Sequence, residues 1–181
     1  MSEAYVRCFV ALIPDAPTRQ RLQTLPRMGR ARAVAPEDLH LTVAFLGDLA
    51  SAPAHGVAQG LSALVRAITP LEAVGLALWP TPQRARVIVA GFALVPELEA
   101  LHNEVMVLAQ QHGVPGEDRR YRPHITVARL PRTLRVMPQQ ALDNIRAELG
   151  PAVFTHLGLY ARAPEGAEQR YQTLVEIPLP S

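Results

Sequence analysis

The sequence predicts an α+β fold made of two pseudo-symmetric lobes, each an antiparallel sheet backed by helices, facing one another across a central cleft. Three observations predict it. The spelling His-x-Thr-Val occurs twice, in "EDLHLTVAF" at 37–45 and in "RPHITVAR" at 122–129. The two motif histidines are 84 residues apart (124 − 40), and the apolar segments around them shift by about the same amount, as an internal duplication would. Strand-like and helix-like runs alternate throughout, and no Gly/Ser-rich or Pro-rich linker separates the halves. The chain is therefore read as one bilobal domain over 1–181, with one motif in each lobe and enough residues to bury a core.

The elements follow in order. "YVRCFVALI" at 5–13 is an apolar strand, and "PTRQRLQTL" at 17–25 opens a helix with proline in its first turn. The first motif forms a strand over 38–46. A helix from Pro53 places Val57, Leu61, Leu64, Val65 and Ile68 on one face. "LEAVGLALW" at 71–79 and "RARVIVAGF" at 84–92 read as two strands. A helix from Pro96 carries Leu98, Leu101, Val105 and Leu108 and stops at Gly113, a residue suited to the left-handed conformation that ends helices. The second motif strand covers 123–129, and a helix with Leu142, Ile145 and Leu149 ends at Gly150. "AVFTHLGLYA" at 152–161 and "RYQTLVEIP" at 170–178 close the chain as strands.

Composition narrows the functions open to such a fold. With 49% hydrophobic and 19% charged residues the chain is globular and not disordered. No apolar run approaches the roughly 18 residues of a membrane span, and "MSEAYVRCFV" lacks the layout of a signal peptide, so the expected place is the cytoplasm, away from membranes. The single cysteine, Cys8, lies in an apolar run and is expected to be a buried thiol. All 18 basic residues are arginine. A lysine-dependent phosphate loop, a Schiff base and a lysine-adenylylating ligase are thereby excluded.

On a β-strand, residues two apart share a face. His40 and Thr42 therefore project together, with Leu41 and Val43 on the opposite face. His124 and Thr126 do the same over Ile125 and Val127. If a pseudo-twofold axis relates the lobes, two imidazoles stand on either side of one substrate atom. Such a pair suits in-line displacement at phosphorus: a neutral histidine takes a proton from the attacking group, and a protonated one gives a proton to the leaving oxygen. The threonine hydroxyls can donate to the non-bridging oxygens. Neither motif carries a second histidine, a cysteine or an adjacent carboxylate at ligand spacing, so no metal and no cofactor is expected.

The segment 117–135 gathers Arg119, Arg120, Arg122, Arg129, Arg132 and Arg135 against Glu117 and Asp118, either as a solvated basic edge or as a surface that follows phosphates. Arg129 is the best single candidate, although strict alternation turns it away from His124, so reaching the phosphate requires a bend in the strand. Phe45 holds the equivalent place after His40, and Tyr121 and Arg122 precede the second motif. Either aromatic could stack on a base, and either could be a packing residue. His55, His102, His112 and His156 have no matching partner and are read as structural or solvated.

These motifs resemble those of the two-histidine (2H) phosphoesterases, specifically the RNA 2′,3′-cyclic phosphodiesterase, or 2′-5′ RNA ligase, family. The resemblance covers "RCFVALIPDAPTRQRL", "VAPEDLHLTVAFLGDL", "PTPQRARVIVAGF", "YRPHITVARL" and "LGLYARAPEGAEQRYQTLVEIPL". One departure is Arg162, where relatives often carry serine. The resemblance implies a bilobal fold and hydrolysis of an RNA 2′,3′-cyclic phosphate to a 2′-phosphomonoester. It implies His40 as proton donor to the departing 3′ oxygen and His124 as proton acceptor from water. It also implies that Thr42, Thr126 and Arg129 hold the phosphate and that Phe45 lies near the terminal nucleoside. From the residues alone the two histidine roles are interchangeable.

Joining of RNA ends could proceed only by a 5′-hydroxyl opening the cyclic phosphate without ATP, and it would compete with water unless the second RNA is bound and oriented. Two other readings stand beside RNA-end hydrolysis: a small-molecule phosphodiesterase for nucleoside or ADP-ribose cyclic phosphates, and a binding module for RNA or nucleotides without turnover. A basic surface extending past the cleft favours RNA, an enclosed pocket favours the small molecule, and intact histidines and threonines count against the binding module. Both motifs lie in one chain, so a monomer is expected to suffice.

Overall fold

In the computed structural model, residues 4–25, 30–117, 119–132, 139–143 and 149–180 are described. Eight strands form one antiparallel sheet: β1 (Ala4–Pro14), β2 (Arg32–Ala33), β3 (Leu41–Ala50), β4 (Ala73–Trp79), β5 (Val87–Phe92), β6 (His124–Arg129), β7 (Phe154–Arg162) and β8 (Tyr171–Pro178). The helices are α1 (Ala16–Gln23), α2 (Ser51–Leu61), α3 (Pro96–Gln111) and α4 (Gln139–Asp143). The fold is α+β, as the alternation of elements predicts.

Sequence sets the helix limits through caps. The Asp15 carboxylate accepts the Thr18 N–H at 2.8 Å at the start of α1, where Pro17 occupies the first turn. Pro96 opens α3, and Gly113 beyond its end has φ +82°. Gly150 adopts φ +60° where the last expected helix was to stop. Of that helix the described part is Gln139–Asp143, and Ile145 lies outside the described residues. The helix expected from Pro53 starts two residues earlier and ends at Leu61, followed by one 3₁₀ turn over Ser62–Leu64. Val65 is already extended, and Leu64, Val65 and Ile68 pack on the core from there. Their spacing mimics a helical face that the chain no longer follows.

The strand order is β4-β5-β6-β3-β1-β7-β8, with β2 also on β6. It contains two antiparallel groups joined in the middle. Between β3 and β6 a single residue pair is in register, Leu41 with Ile125. Farther along the same edge of β6, β2 takes over, with Arg32 opposite Arg129 and Ala33 opposite Ala128. The two motif strands thus touch at one point and then part, which opens a cleft.

The hairpin after each motif helix joins the other motif's strand. β4 and β5 follow β3 in sequence yet lie on β6, while β7 and β8 follow β6 and lie on β3 through β1. Each half of the sheet is therefore assembled from both halves of the sequence.

One face of the sheet carries the helices and the main core, with Val10, Leu12, Leu41, Val43, Ile125 and Leu157 fully or almost fully buried. The helices approach closely where α2 presents Gly56 and Gly60, since a Cβ at either would meet His112 or Leu108 of the α3 end. The other face carries a small cluster of Phe9, Ala11 and Tyr160. Cys8 is buried, and burial raises its thiol pKa to about 11, so it is an inert core residue. Among the described residues no helix is long and apolar enough to cross a membrane.

Candidate active site

The pair Leu41–Ile125 sits where the cleft opens, with both side chains fully buried on the helix side. Continuing the antiparallel register by one residue in each direction sets His40 against Thr126 and Thr42 against His124. Alternation then puts all four on the helix-free face, each one residue away from that pair.

The next residues of both strands share an irregularity. Along β6, Thr126 opposes Val89 and Ala128 opposes Ile88, so Val127 is an extra residue. Along β3, Thr42 opposes Ala11 and Ala44 opposes Val10, so Val43 is extra in the same place. A β-bulge shifts alternation by one residue. Two consecutive buried residues follow each threonine, Val43–Ala44 and Val127–Ala128. The side chains beyond them, Phe45 and Arg129, return to the face of the histidines. This is the bend that Arg129 required.

Two adjoining cavities, of about 240 and 210 Å³, share Thr42 and Phe45. His40 and Arg129 line the first, and His124, Tyr121 and Arg122 line the second. Of the eight expected residues, Thr126 alone lines neither; register places it beside His40. Phe45 is 46% exposed and lines both cavities, so its ring is open to whatever occupies them.

Each imidazole is held in the same way. His40 Nδ1 lies 2.7 Å from the Asp38 carbonyl, and His124 Nδ1 lies 2.8 Å from the Arg122 carbonyl. A carbonyl only accepts, so Nδ1 carries the proton and donates it in both rings, which leaves Nε2 as the nitrogen that titrates. Each ring also rests on an aromatic. Phe9 stacks on His40 at 4.7 Å, with Tyr171 edge-on to it at 5.3 Å. Trp79 lies 4.2 Å from His124 and carries the Arg122 guanidinium 4.2 Å above its own ring.

Burial lowers the His40 pKa to about 4, with smaller contributions in the same direction from the charges of His124 and Arg129. Burial lowers that of His124 as well, against the hydrogen bond to the Arg122 carbonyl, which raises it, and with a smaller lowering from the Arg122 charge. At neutral pH both rings are therefore uncharged until an anion arrives to balance them.

Tyr121 contributes to the architecture in addition to lining the cavity. Its hydroxyl donates to the Thr42 carbonyl at 3.0 Å, and its ring stacks on His102 at 4.3 Å. His102 Nδ1 in turn donates to the Val43 carbonyl at 2.7 Å. Both therefore brace the bulge of β3. His102 was expected to be structural or solvated, and the structure gives it the first role.

Phe9, Trp79 and Tyr171 were not among the expected site residues, nor were Arg7 and Arg170, which line the first cavity together with Arg162. Phe9 alone had a legible signal, the alternation of β1, which puts Phe9 and Ala11 opposite Val10 and Leu12. Of the basic run, Arg119 and Arg120 line the second cavity and Arg132 is exposed, while Asp118 and Arg135 lie outside the described residues.

The family described as the "2'-5' RNA ligase superfamily" matches over residues 14–164. A protein of Archaeoglobus fulgidus named RNA 2′,3′-cyclic phosphodiesterase is 29% identical over 131 residues, 70% of this chain and 74% of that protein. A protein of Aeropyrum pernix with the same name is 28% identical over 120 residues, 66% of each chain. Among solved structures, E. coli LigT complexed with phosphate superposes with a TM-score of 0.66 at 23% identity, over 99% of this chain and 100% of that one. At that identity the likeness is one of fold.

Proposed function

The chain belongs to the 2′-5′ RNA ligase superfamily, and from that premise we propose that it hydrolyses RNA 2′,3′-cyclic phosphate ends to 2′-phosphomonoesters, without a metal, by acid–base catalysis from His40 and His124. The names of its archaeal relatives support the reaction. The observation that carries the mechanism is the matched pair of imidazoles, each donating Nδ1–H to the carbonyl two residues before it. That bond fixes each ring and leaves Nε2 free to exchange a proton.

Water attacks phosphorus while His124 Nε2 takes its proton. The P–O3′ bond breaks, and protonated His40 gives its Nε2 proton to the departing 3′ oxygen. The products are a 2′-phosphomonoester and a 3′-hydroxyl, and one proton transfer between the rings or through solvent resets the pair. Thr42 and Thr126 donate hydroxyls to the non-bridging oxygens, and Arg129 supplies positive charge as negative charge builds there. The same anion makes a charged His40 affordable in a site that otherwise holds it neutral.

The chain has no lysine, so joining of RNA ends is limited to attack by a 5′-hydroxyl in place of water. Two features favour RNA over a small cyclic nucleotide. Phe45 stands exposed beside the threonines as a platform for a base, and three of the four arginines around the first cavity, Arg7, Arg162 and Arg170, are exposed to solvent.

The test is an oligoribonucleotide ending in a 2′,3′-cyclic phosphate, incubated with the protein in excess EDTA and resolved into 2′- and 3′-phosphate products. The 2′-phosphate is expected. A 3′-phosphate, or dependence on added metal, would contradict the proposal.

A further inference from the structure

Four arginines, Arg7, Arg129, Arg162 and Arg170, line the cavity that holds His40, and no carboxylate lines it. One cyclic phosphate monoanion needs fewer. Among the described residues the ion pairs are Arg66–Glu104 and Arg119–Glu117, so none of the four is neutralised by one. The acidic groups around the cavity lie outside its lining: the Asp38 carboxyl feels the charges of Arg170 and Arg129, and Glu176 shares the adjoining cavity with Asp38. Glu37 and Asp38 line the cavity on the other side of His40, and the Asp48 carboxylate accepts the backbone N–H of Arg7 at 2.8 Å. Like charges gathered this way repel, and even with Asp38 nearby four arginines favour more than one bound negative charge.

The side chains are aimed, not scattered. Arg7 is the one non-glycine residue with positive φ (+54°) among the described residues. It lies where the register of β1 against β3 slips between Tyr5 and Cys8. Residues other than glycine rarely stay in that conformation unless their surroundings hold them there, and such residues cluster at functional sites. The Arg7 guanidinium lies 6.0 Å from the Phe45 ring centre. Arg162 is the register partner of Tyr171, and continuing the pairing of Phe9 with Tyr160 brings Arg162 opposite Arg7. The Tyr171 hydroxyl accepts from Arg170 Nε at 3.2 Å and from Arg129 at 3.5 Å. Arg129 is half-buried beside the histidines, while Arg7, Arg162 and Arg170 are exposed, so positive charge runs outward from the catalytic face.

We propose that Arg7, Arg162 and Arg170 form a second phosphate subsite, which takes the phosphate on the 5′ oxygen of the terminal nucleotide; in an RNA chain that group is the internucleotide phosphodiester. Phe45 would then lie between the two phosphates, against the terminal base. The inference deepens the reading of the first cavity as the cyclic-phosphate site and rests on it. It assigns specificity for an RNA end over a free cyclic nucleoside to three residues outside the motifs.

The experiment compares kcat/KM on a nucleoside 2′,3′-cyclic phosphate, on its 5′-phosphorylated form, and on a dinucleotide with the same cyclic end, for wild type, Arg162→Ala and Arg162→Glu. Each protein is its own reference, because the ratio between substrates cancels differences in folded fraction. Wild type is expected to favour both substrates with a 5′-linked phosphate on the order of tenfold at low salt, a typical margin for a charge-assisted contact at a partly exposed site, with the advantage shrinking as salt rises. Arg162→Ala should reduce the ratio to about threefold or less, and Arg162→Glu should abolish it.

Equal rates on all three substrates, or a preference that both variants retain, would overturn the subsite while leaving the hydrolase intact. A gain from the free 5′-phosphate but none from the diester would overturn the assignment to RNA. A parallel titration with nucleoside 2′-phosphate and nucleoside 2′,5′-bisphosphate reads the subsite without turnover. Tighter binding of the bisphosphate by wild type, lost in Arg162→Glu, supports it even if no substrate is cleaved, and equal binding overturns it.

Discussion

A histidine that moves protons near neutral pH usually has a pKa of about 6.5. Here burial lowers both imidazoles, His40 to about 4. The proposed acid–base pair requires one ring charged and one neutral. In the free protein that form grows as pH falls from 7 toward the higher of the two values and is lost again as pH falls through the lower. The parameter kcat/KM follows the free protein and is therefore expected to peak below pH 6.5. In the complex the phosphate's negative charge favours the protonated ring, so the peak of kcat should lie at higher pH than that of kcat/KM. Steady-state profiles between pH 4 and 9 check both, and a kcat/KM optimum at or above 7 would contradict the assignment.

At the scale of the element, each motif strand is interrupted by one extra residue. A regular strand would send Phe45 and Arg129 into the helix side, and the extra residues Val43 and Val127 turn them back. Phe45→Ala is accordingly expected to raise KM for an RNA end about tenfold, the lower part of the range for base stacking on an aromatic, with little change in kcat. Indifference to this change would mean that the ring is only packing.

The His/Thr faces were legible from the period-2 rule, and the repeated spelling singled out His40 and His124 among six histidines. The bulges were legible only as a conflict, since Arg129 stood at the wrong parity for its expected place. Nothing in "HLTVAF" or "HITVAR" spells an extra residue. The extra residue shows only in the pairing with the partner strands, between Val10 and Ala11 and between Ile88 and Val89. Arg7, Arg170 and Tyr171 were hidden for a related reason: they reach the cavity from β1 and from β8 with the residue before it, elements that only tertiary pairing brings beside β3.

At the scale of the molecule, the two halves of the sequence do not map onto the two halves of the sheet. The hairpin β4–β5 completes the group containing β6, and β7–β8 completes the group containing β1 and β3. A chain cut after Leu94, the exposed residue between β5 and α3, leaves each fragment with unpaired strand edges and an uncovered apolar face. Fragments 1–94 and 95–181 are expected to be unfolded or aggregated alone by circular dichroism and to regain structure and activity when co-expressed. Independent folding of either one would contradict the exchange.

His40 and His124 each lie one residue from the point where the two motif strands touch, and the proposed mechanism requires them to act as one unit. The most direct test is single-turnover cleavage of an RNA 2′,3′-cyclic phosphate by His40→Ala, His124→Ala and the double variant. Each single change is expected to cost on the order of 100-fold to 10,000-fold, with the double variant little worse than either, because an acid–base pair missing one member has already lost the concerted step. If one histidine proves dispensable, or if the two losses multiply as independent effects do, the paired mechanism is wrong.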